Sequence, residues 1–410
     1  MTKTSDICDI LIVGARCAGS AIAILLARAG LDVRLVEQAP EIGDTLSTHA
    51  LMRPGVAVLD RLGVLRQIVA DGTPTITRTR FAYGSEDLLD IAVKPKGNAA
   101  GLYAPRRSLL DRILCQAAVE AGAHLSLATR FETVIRDRSG RVVGAEVRLP
   151  DGSPSRLRAG LVIGADGRLS AVARSVEARC RVEDTHHSGL VYGYFDDIPN
   201  EGYRWFFDHG LQVGLIPTNG GQHCVFAACR PSEYRARLAC NPLDGIAGAL
   251  AVWAPEIAAR LAEGATERMR RFPGAPGHIR DCAGPGWALV GDAGYYKDPA
   301  TAHGITDALL DAVHLAAHVL TERDAHEGYQ ALRDAHADVI FPITQRIASF
   351  DWTFDELAVL HRDLNDAMRW ELASIESGLP LQQSADRAES GTGSKVKGMT
   401  DEELSREVAA

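Results

Sequence analysis

Three turns rich in glycine and aspartate carry the residues that could do chemistry. Residues 14–20 read Gly-Ala-Arg-Cys-Ala-Gly-Ser, residues 164–170 read Gly-Ala-Asp-Gly-Arg-Leu-Ser, and residues 291–294 read Gly-Asp-Ala-Gly. Each turn follows a short apolar run. In the first turn, backbone amides at the start of the following helix can face a pyrophosphate, and the positive end of the helix dipole favours that negative charge. The first turn is therefore a candidate dinucleotide-binding loop.

The residue types of the first turn fit this interpretation. Gly14 permits a tight strand-to-helix turn, and Gly19 lets the helix pack closely on the strand. Glu37 lies 23 residues after Gly14 at the end of the next apolar run, where a carboxylate can accept hydrogen bonds from ribose hydroxyls. The amides expected to face the pyrophosphate belong to Arg16, Cys17 and Ala18.

One position departs from the usual fingerprint. Arg16 stands where the middle glycine is expected. A side chain there narrows the approach of the backbone to the phosphates, unless the guanidinium turns toward an anion. The alternative interpretation is a glycine turn in an α/β protein that binds no nucleotide.

The elements around the turns predict an α/β fold. An apolar run at 7–13, an Ala/Ile/Leu-rich helical run at 20–29 and a β-branched run at 32–37 form a βαβ unit, which requires a parallel sheet. From 181 to 281 the chain shows alternating strands between turn signals, typical of a separate antiparallel sheet. Helical patterns follow at 325–376, and the polar residues from 377 to 410 predict a disordered tail.

Composition excludes several classes of function. The chain has 410 residues, 46% of them hydrophobic, and a formal net charge of −9, so we expect neither nucleic acid nor anionic lipid as a partner. We find no apolar run long enough for a membrane span and no secretory signal. Eight scattered cysteines without a Cys-x-x-Cys spacing predict reduced thiols, no metal site and a cytoplasmic location.

The three turns, in this order, resemble the single-component FAD-dependent monooxygenases with the para-hydroxybenzoate hydroxylase fold. Flavin halogenases and geranylgeranyl reductases are relatives of that family. The resemblance covers residues 7–320 and implies a Rossmann-type FAD-binding domain with a parallel sheet, an inserted antiparallel-sheet substrate domain and C-terminal helices. The expected FAD-binding domain comprises 1–72, 98–180 and 282–325, the substrate domain 73–97 and 181–281, and the helical segment 326–376.

The resemblance also implies roles for individual residues. Asp292, after Gly291, would accept a hydrogen bond from a ribityl hydroxyl of FAD. Asp166 matches an aspartate that lies near the cofactor in this family. The implied cofactor contacts further along the chain are Arg107, the backbone of Val134 near the adenine, and the turn formed by Ala302, His303, Gly304 and Ile305, which would face the flavin pyrimidine edge.

Two histidines and a set of aromatic residues are candidates for substrate chemistry. His49 and His303 could act as acids or bases, because histidine titrates near neutral pH. Arg53 follows the loop that runs beside the flavin in the family. Aromatic residues at period two on predicted strands would form a substrate platform over the flavin: Tyr192, Tyr194, Trp205 and Phe207.

The expected activity is oxygen transfer through a flavin hydroperoxide, which hydroxylates or epoxidises a small aromatic or unsaturated molecule with O₂ and NAD(P)H. Because no second Rossmann domain is visible, NAD(P)H is expected to dock transiently. The alternatives are an FAD-dependent reductase of carbon–carbon double bonds, similar to geranylgeranyl reductases, and a flavin-binding protein without activity. A halogenase is disfavoured because its Trp-x-Trp-x-Ile-Pro segment is absent.

Overall fold

The computed structural model describes residues 7–84, 87–261, 263–321 and 326–377. The strands in these residues are β1 (Ile7–Val13), β2 (Val33–Val36), β3 (Arg78–Tyr83), β4 (Asp87–Ala92), β5 (His124–Ser126), β6 (Arg130–Arg136), β7 (Val142–Arg148), β8 (Pro154–Gly164), β9 (Cys180–Glu183), β10 (Gly189–Phe195), β11 (Tyr203–Asp208), β12 (Leu211–Pro217), β13 (His223–Cys229), β14 (Arg270–Phe272), β15 (His278–Arg280), β16 (Ala283–Gly284), β17 (Trp287–Leu289) and β18 (Tyr295–Tyr296).

Helices cover both sheets. They are α1 (Cys17–Arg28), α2 (Arg53–Arg61), α3 (Leu65–Ala70), α4 (Arg107–Glu120), α5 (Ala171–Ser175), α6 (Pro231–Tyr234), α7 (Pro242–Leu250), α8 (Pro255–Leu261), α9 (Gly304–Thr321), α10 (His326–Ala348) and α11 (Phe354–Ser377). In the described part of the chain, we find no helix with the length and apolar character needed to cross a membrane. The tail predicted from 377 onward lies, except for its first residue, outside the described residues.

The first sheet aligns the three turns at one edge. Its order is β16-β17-β8-β1-β2-β5, and β17, β8, β1, β2 and β5 run parallel to one another. In this register Val13 pairs with Gly164, and Gly164 pairs with Leu289. Because the carboxyl ends of parallel strands meet at one edge, the turns after β1, β8 and β17 become neighbours, as Rossmann-type folds require. The β6–β7 hairpin extends this sheet through β7, which pairs with the first half of β8.

The second sheet presents one face to the first. Its order is β14-β10-β13-β12-β11-β3-β4, antiparallel except where β11 runs beside β3. Side chains alternate between its faces. One face joins the core shared with the nucleotide-binding sheet and carries Tyr192, Tyr194, Trp205 and Phe207. The other packs under α7 and α8 and carries Val191, Phe206, Val213 and Leu215.

Two glycines are required in the first turn, because backbone atoms of other residues lie very close to it. Gly14 has φ of +103°, and a Cβ there would lie 2.5 Å from the carbonyl oxygen of Ala165. A Cβ at Gly19 would lie 1.8 Å from the carbonyl oxygen of Gly14. Backbone therefore packs directly on backbone, and only glycine fits at either place.

This packing yields a stability prediction with an internal control. Gly30 follows α1 within the same βαβ unit and has φ of +88°, but a Cβ there would meet nothing within 4 Å. Gly30→Ala should lower the free energy of unfolding by about 1 kcal/mol through backbone strain alone. Gly14→Ala adds a steric clash and should cost at least about 2 kcal/mol more. Urea unfolding of both variants checks this, and equal losses would contradict the clash.

Candidate active site

A cleft of about 610 Å³ lies at the edge where the three turns meet. The structure brings most of the predicted cofactor residues together in its walls. Those lining the cleft are Gly14, Arg16, Cys17, Ala18, Glu37, Arg107, Asp166, Asp292, Ala302, Gly304 and Ile305, joined by His49, Tyr192 and His303. The other predicted residues lie behind the walls or elsewhere.

Gly19 and Gly291 support the cleft from behind. Gly19 provides the close approach of α1 described above. The amide of Gly291 donates a 2.8 Å hydrogen bond to the buried carboxylate of Asp311, and Gly291 has φ of +59°. Burial raises the pKa of Asp311 to about 7. Both glycines therefore shape the turns without facing the cleft.

Glu37 sits at the end of β2, as predicted. One oxygen accepts a 3.0 Å hydrogen bond from the amide of Ala15, and the other accepts a 2.9 Å bond from the amide of Ala39. The carboxylate therefore fixes the first turn against β2 while it lines the cleft. A carboxylate can accept further bonds from ligand hydroxyls.

Arg16 does not block the cleft, because its guanidinium turns toward an anion of the protein. Its Nη1 lies 3.1 Å from the carboxylate of Asp111 and donates to the carbonyl of Gly43 at 3.1 Å. Arg107 binds the same carboxylate with two nitrogens, at 3.0 to 3.2 Å. Asp111 is fully buried, so two guanidinium groups share one buried charge. Sequence analysis missed Asp111 as a site residue, although its spacing of four from Arg107 on a helix was visible.

Asp166 has a structural role. Its carboxylate accepts hydrogen bonds from the amides of Ala171 and Val172, at 2.6 and 3.1 Å, and from the hydroxyl of Ser170. These are the free amides at the start of α5, so Asp166 caps that helix. It still lines the cleft, together with Arg168.

Asp292 is the carboxylate of the third turn. Burial raises its pKa to about 6, and the neighbouring charge of Asp307 acts in the same direction. Arg107 and Lys297 oppose that shift. Asp292 lines the cleft as an acceptor suited to a ligand hydroxyl.

The structure places Val134 outside the cleft. Its amide, on β6, donates a 2.9 Å hydrogen bond to the hydroxyl of Ser175 at the end of α5. The residues of this region that line the cleft lie earlier in the chain, at Thr129, Arg130 and Phe131. Val134 does not line the cleft, because the strand leaves the cleft three residues earlier, after Phe131.

His49 faces Tyr194 at the edge of the cleft. The His49 Nε2 and the Tyr194 hydroxyl form a short hydrogen bond, and the two rings stack at 5.6 Å. Burial, with Arg107 and Arg106 nearby, lowers the pKa of His49 well below its usual value. The Arg106 guanidinium lies over the Tyr194 ring, 3.4 Å from its centroid. Tyr192 also lies here, and its hydroxyl accepts a bond from the amide of Ser47.

His303 lies at the opposite wall, beside a residue that sequence analysis missed. Its Nε2 is 2.8 Å from a carboxylate oxygen of Glu371, which comes from α11, 68 residues later in the chain. Asp307 and Lys297 form a buried ion pair next to them. His303, Asp307 and Glu371 lie close enough to hold a metal ion, but the ammonium of Lys297 already supplies a cation to Asp307. No local sequence signal connects Glu371 to this site.

The turn before α9 adopts an unusual backbone. Ala302 has φ of +51°, in the left-handed region that favours glycine. An alanine in this conformation lowers the free energy of unfolding by about 1 kcal/mol relative to glycine. This cost explains why the family that the sequence resembles often carries glycine at this position.

A second, larger cavity of about 1220 Å³ lies beneath the inner face of the second sheet. Trp205 and Phe207 line it, whereas Tyr192 faces the first cleft. Residues of β4 and α11 form the other walls, among them Ile91, Val93, Leu364, Met368 and Leu372. Arg53 lines this cavity and donates to the carbonyl of Lys94, so it belongs to the second cavity and does not line the cofactor cleft.

The two cavities share one segment of chain. Pro299 and Ala302 line the cleft, and the intervening Ala300 and Thr301 line the second cavity. Gln212 reaches this segment from β12, where its amide nitrogen donates to the carbonyl of Ala300 at 3.0 Å. The segment 299–302 is therefore the partition between the two spaces.

The residues of the cleft fit FAD. Gly14 and Gly19 allow the tight turn and the close packing of α1 that place the amides at the start of this helix beside the cleft. Glu37 and Asp292 offer carboxylate acceptors at separate places along the cleft. The buried Nδ1 of His303 has no hydrogen-bond partner within the protein, and it remains available to a ligand.

Comparisons with known proteins agree with this geometry. The family model described as "FAD binding domain" matches residues 7–341. The chain is 29% identical over 369 residues to the menaquinone reductase of Mycobacterium tuberculosis, with 84% of each chain covered. It is also 29% identical over 321 residues to the digeranylgeranylglycerophospholipid reductase of Methanosarcina mazei, with 75% of this chain and 74% of the relative covered.

Solved structures share the fold. The crystal structure of pqsL, a probable FAD-dependent monooxygenase from Pseudomonas aeruginosa, superposes with a TM-score of 0.70 at 22% identity. The superposition covers 90% of this chain and all of that chain. The predicted α/β fold is confirmed, and the family model confirms the FAD-binding domain that the resemblance implied. The match of the family model over most of the chain shows that this protein belongs to the FAD binding domain family and is an FAD-dependent oxidoreductase.

Proposed function

We propose that this protein is a monooxygenase that inserts one oxygen atom into an extended, mostly apolar, unsaturated or aromatic molecule. The observation that carries the proposal is the large cavity beside the cofactor cleft, with an aromatic wall formed by Trp205 and Phe207. Its volume of about 1220 Å³ exceeds the range of about 300–1,000 Å³ that is usual for small-molecule sites. A substrate larger than a single ring would fill it.

In the proposed reaction, the substrate, O₂, NAD(P)H and one proton give the oxygenated product, water and NAD(P)⁺. When bound, FAD supplies the redox chemistry that links the two electrons of NAD(P)H to O₂. NAD(P)H is proposed as a transient co-substrate. The protein's own tasks are to hold the cofactor, to orient the substrate and to keep water away from both.

The cofactor contacts are assigned from the cleft. The amides of residues 16–18 and the N-terminus of α1 would bind the pyrophosphate, and Glu37 the ribose. Asp292 would accept from a ribityl hydroxyl. Arg107, held by Asp111, would supply positive charge beside the cofactor, and Thr129 to Phe131 would border the adenine.

Gln212 is the residue that we propose orients the substrate. The carbonyl of Ala300 can only accept a hydrogen bond, so the amide nitrogen of Gln212 must face it. The amide oxygen is then left buried and without a protein donor. A buried acceptor without a partner is costly, and a substrate hydroxyl or N–H group would satisfy it. The substrate is therefore proposed to combine an apolar body with one hydrogen-bond donor.

Three polar residues of the second cavity, His361, Tyr83 and Gln212, are weak proton donors, although Lys94 and Lys96 also line it. Saturation of a double bond needs a proton donor beside the substrate. His361 lines the cavity, but burial lowers its pKa to about 3, so it is neutral and bound to the Tyr83 hydroxyl. Burial raises the pKa of Tyr83 above its usual value. Gln212 carries no transferable proton near neutral pH. These three residues favour oxygen transfer, because its one proton enters with the reduction of O₂ and need not come from the substrate cavity.

His49 is proposed to position residues and not to exchange protons. Its lowered pKa keeps it neutral at physiological pH. Through its bond to Tyr194 it anchors the loop 45–49 against the second sheet. Because Tyr194 has a raised pKa from burial, the pair is uncharged.

A second candidate is an FAD-dependent reductase of carbon–carbon double bonds. It is favoured by the names of the curated relatives, a menaquinone reductase and a digeranylgeranylglycerophospholipid reductase. Such a substrate would also be long and apolar, and would fit the same cavity. The two candidates differ in their need for O₂.

That difference gives the first test. The FAD-loaded protein should be incubated with NADH or NADPH and with two probes, 4-decylphenol and all-trans-farnesol, in the presence and absence of ¹⁸O₂. A monooxygenase should give products that carry one ¹⁸O atom, with none formed anaerobically. Products that gain two hydrogens under anaerobic conditions would overturn the proposal in favour of the reductase.

A second prediction concerns Asp292 and FAD. Loss of a hydrogen bond to a charged acceptor costs about 1.5–3 kcal/mol, so Asp292→Ala should weaken FAD binding roughly 10- to 100-fold. Because the pKa of Asp292 is raised to about 6, its ionised form is lost below that pH. FAD affinity of the unaltered protein should therefore fall up to about tenfold per pH unit below 6, and that dependence should vanish in Asp292→Ala.

Fluorescence titration of the apoprotein with FAD measures both effects. Asp363→Ala is the control, because Asp363 is an exposed aspartate on α11 outside both cavities. It should leave the affinity and its pH dependence unchanged. Normal FAD affinity in Asp292→Ala would remove the assignment of this residue.

A third prediction tests whether Gln212 binds a hydrogen-bond donor of the substrate. In Gln212→Leu, binding of 4-decylphenol should weaken about two- to tenfold, the range of one net hydrogen bond. Binding of decylbenzene, which lacks the hydroxyl, should not weaken. The change in flavin absorbance during titration with each probe measures both binding affinities. Gln67→Leu, on the exposed face of α3, is the control. Equal weakening of both probes would indicate general damage to the cavity.

A further inference from the structure

Glu371 is a buried carboxylate brought to the cofactor cleft from a distant part of the chain. It lies on α11, and its side chain is 1% exposed. One oxygen is 2.8 Å from Nε2 of His303, which itself is fully buried. His303 lines the cleft immediately before the N-terminus of α9. The side chain of His303 alone therefore connects Glu371 to the cofactor cleft.

The chemistry of this pair fixes where the protons lie. Burial by itself would raise the pKa of Glu371, but His303 beside it lowers that pKa overall, so the carboxylate is ionised. An ionised carboxylate can only accept a hydrogen bond, so Nε2 of His303 carries a proton and donates it. The other ring nitrogen, Nδ1, is buried and has no partner in the protein.

Charge pairing around the site leaves His303 as the partner of Glu371. Asp307 is paired with the ammonium of Lys297, so the imidazole of His303 is the nearest group left to balance the carboxylate of Glu371. His336 of α10 lies 4.0 Å from the other oxygen of Glu371, but burial lowers the pKa of His336. Asp292 and Asp311 also face this region, and burial raises the pKa of both. Buried charges are stable in proteins only when paired.

We propose that Glu371 is a positioning residue that holds His303 as an imidazolium, with Nδ1–H presented to the flavin. The inference rests on the proposed placement of FAD, with the flavin pyrimidine edge at the His303–Gly304–Ile305 turn. Negative charge gathers at that edge when the flavin is reduced. A fixed positive charge there stabilises the reduced cofactor more than the oxidised one, so the pair raises the midpoint potential of the bound flavin.

The helix dipole of α9 acts in the same direction, since its positive end begins at Gly304. The dipole does not depend on α11, whereas the His303–Glu371 pair does. The C-terminal helix therefore contributes directly to the redox properties of the cofactor site, in addition to lining the second cavity through Leu364, Met368 and Leu372.

The test is the midpoint potential of the FAD-loaded protein, measured by equilibration with redox dyes. Glu371→Gln keeps the size and a hydrogen-bonding oxygen but removes the charge. We expect the preference for reduced over oxidised flavin to fall about tenfold or more, which is a shift of roughly 30 mV or more to more negative potential for a two-electron couple. Asp363→Asn removes one exposed charge from the same helix and should leave the potential unchanged.

A second variant covers the case in which Glu371→Gln does not fold. His303→Asn removes the imidazole and should lower the potential by at least as much. In the double variant, Glu371→Gln should add no further shift, because Glu371 acts through His303. A role in folding alone would weaken FAD binding without moving the potential. An unchanged potential in His303→Asn, or in a folded and FAD-loaded Glu371→Gln, would overturn the inference.

These outcomes are separable from those that test the proposed function. The potential is measured without substrate and without O₂, so it does not depend on which reaction the enzyme performs. A protein that fails to bind FAD would refute the cofactor assignment, whereas one that binds FAD with the potential insensitive to Glu371 would refute only this inference.

Discussion

The close approach of backbone to backbone at the first turn is the constraint on which the site depends. Gly14 lies against the carbonyl of Ala165, and Gly19 lies against the carbonyl of Gly14. These contacts bring the ends of β1 and β8 and the start of α1 within van der Waals distance. A cofactor that bridges separate turns needs them at fixed spacing, and a side chain at either glycine would force them apart. The parallel register of β1, β8 and β17 then adds the third turn at the same edge.

The placement of charge follows from this geometry. The cleft needs positive potential for an anionic ligand, yet its walls are buried, where isolated charges are costly. The protein meets both demands by pairing each buried charge with an opposite one. Arg16 and Arg107 both bind the carboxylate of Asp111. Beside His303, Lys297 forms an ion pair with Asp307. Each pair keeps a charged group beside the cofactor without leaving a buried ion alone.

The partition keeps the two cavities separate but adjacent. One short segment, 299–302, forms a wall of both spaces, and Gln212 ties it to the second sheet. The left-handed backbone at Ala302 turns the chain from the second cavity back to the cleft. This arrangement suits a reaction in which water must be excluded from the cofactor.

The sequence by itself determined the local structures and the family. The glycine spacing, the apolar runs and the position of Glu37 are local patterns, because strand, turn and helix form within about 30 residues of chain. They sufficed to predict the βαβ unit, the parallel sheet, the FAD cleft and the period-two aromatic face of the second sheet.

Only the tertiary structure decided the contacts between distant segments. Glu371 meets His303 across 68 residues, Gln212 meets Ala300 across 88, and Asp111 meets Arg16 across 95. It also decided that Val134 lies outside the cleft, that Arg53 serves the second cavity, and that Asp166 caps a helix. Such pairings depend on how whole elements pack, and packing is set by shape and burial summed over many residues, which no short pattern encodes.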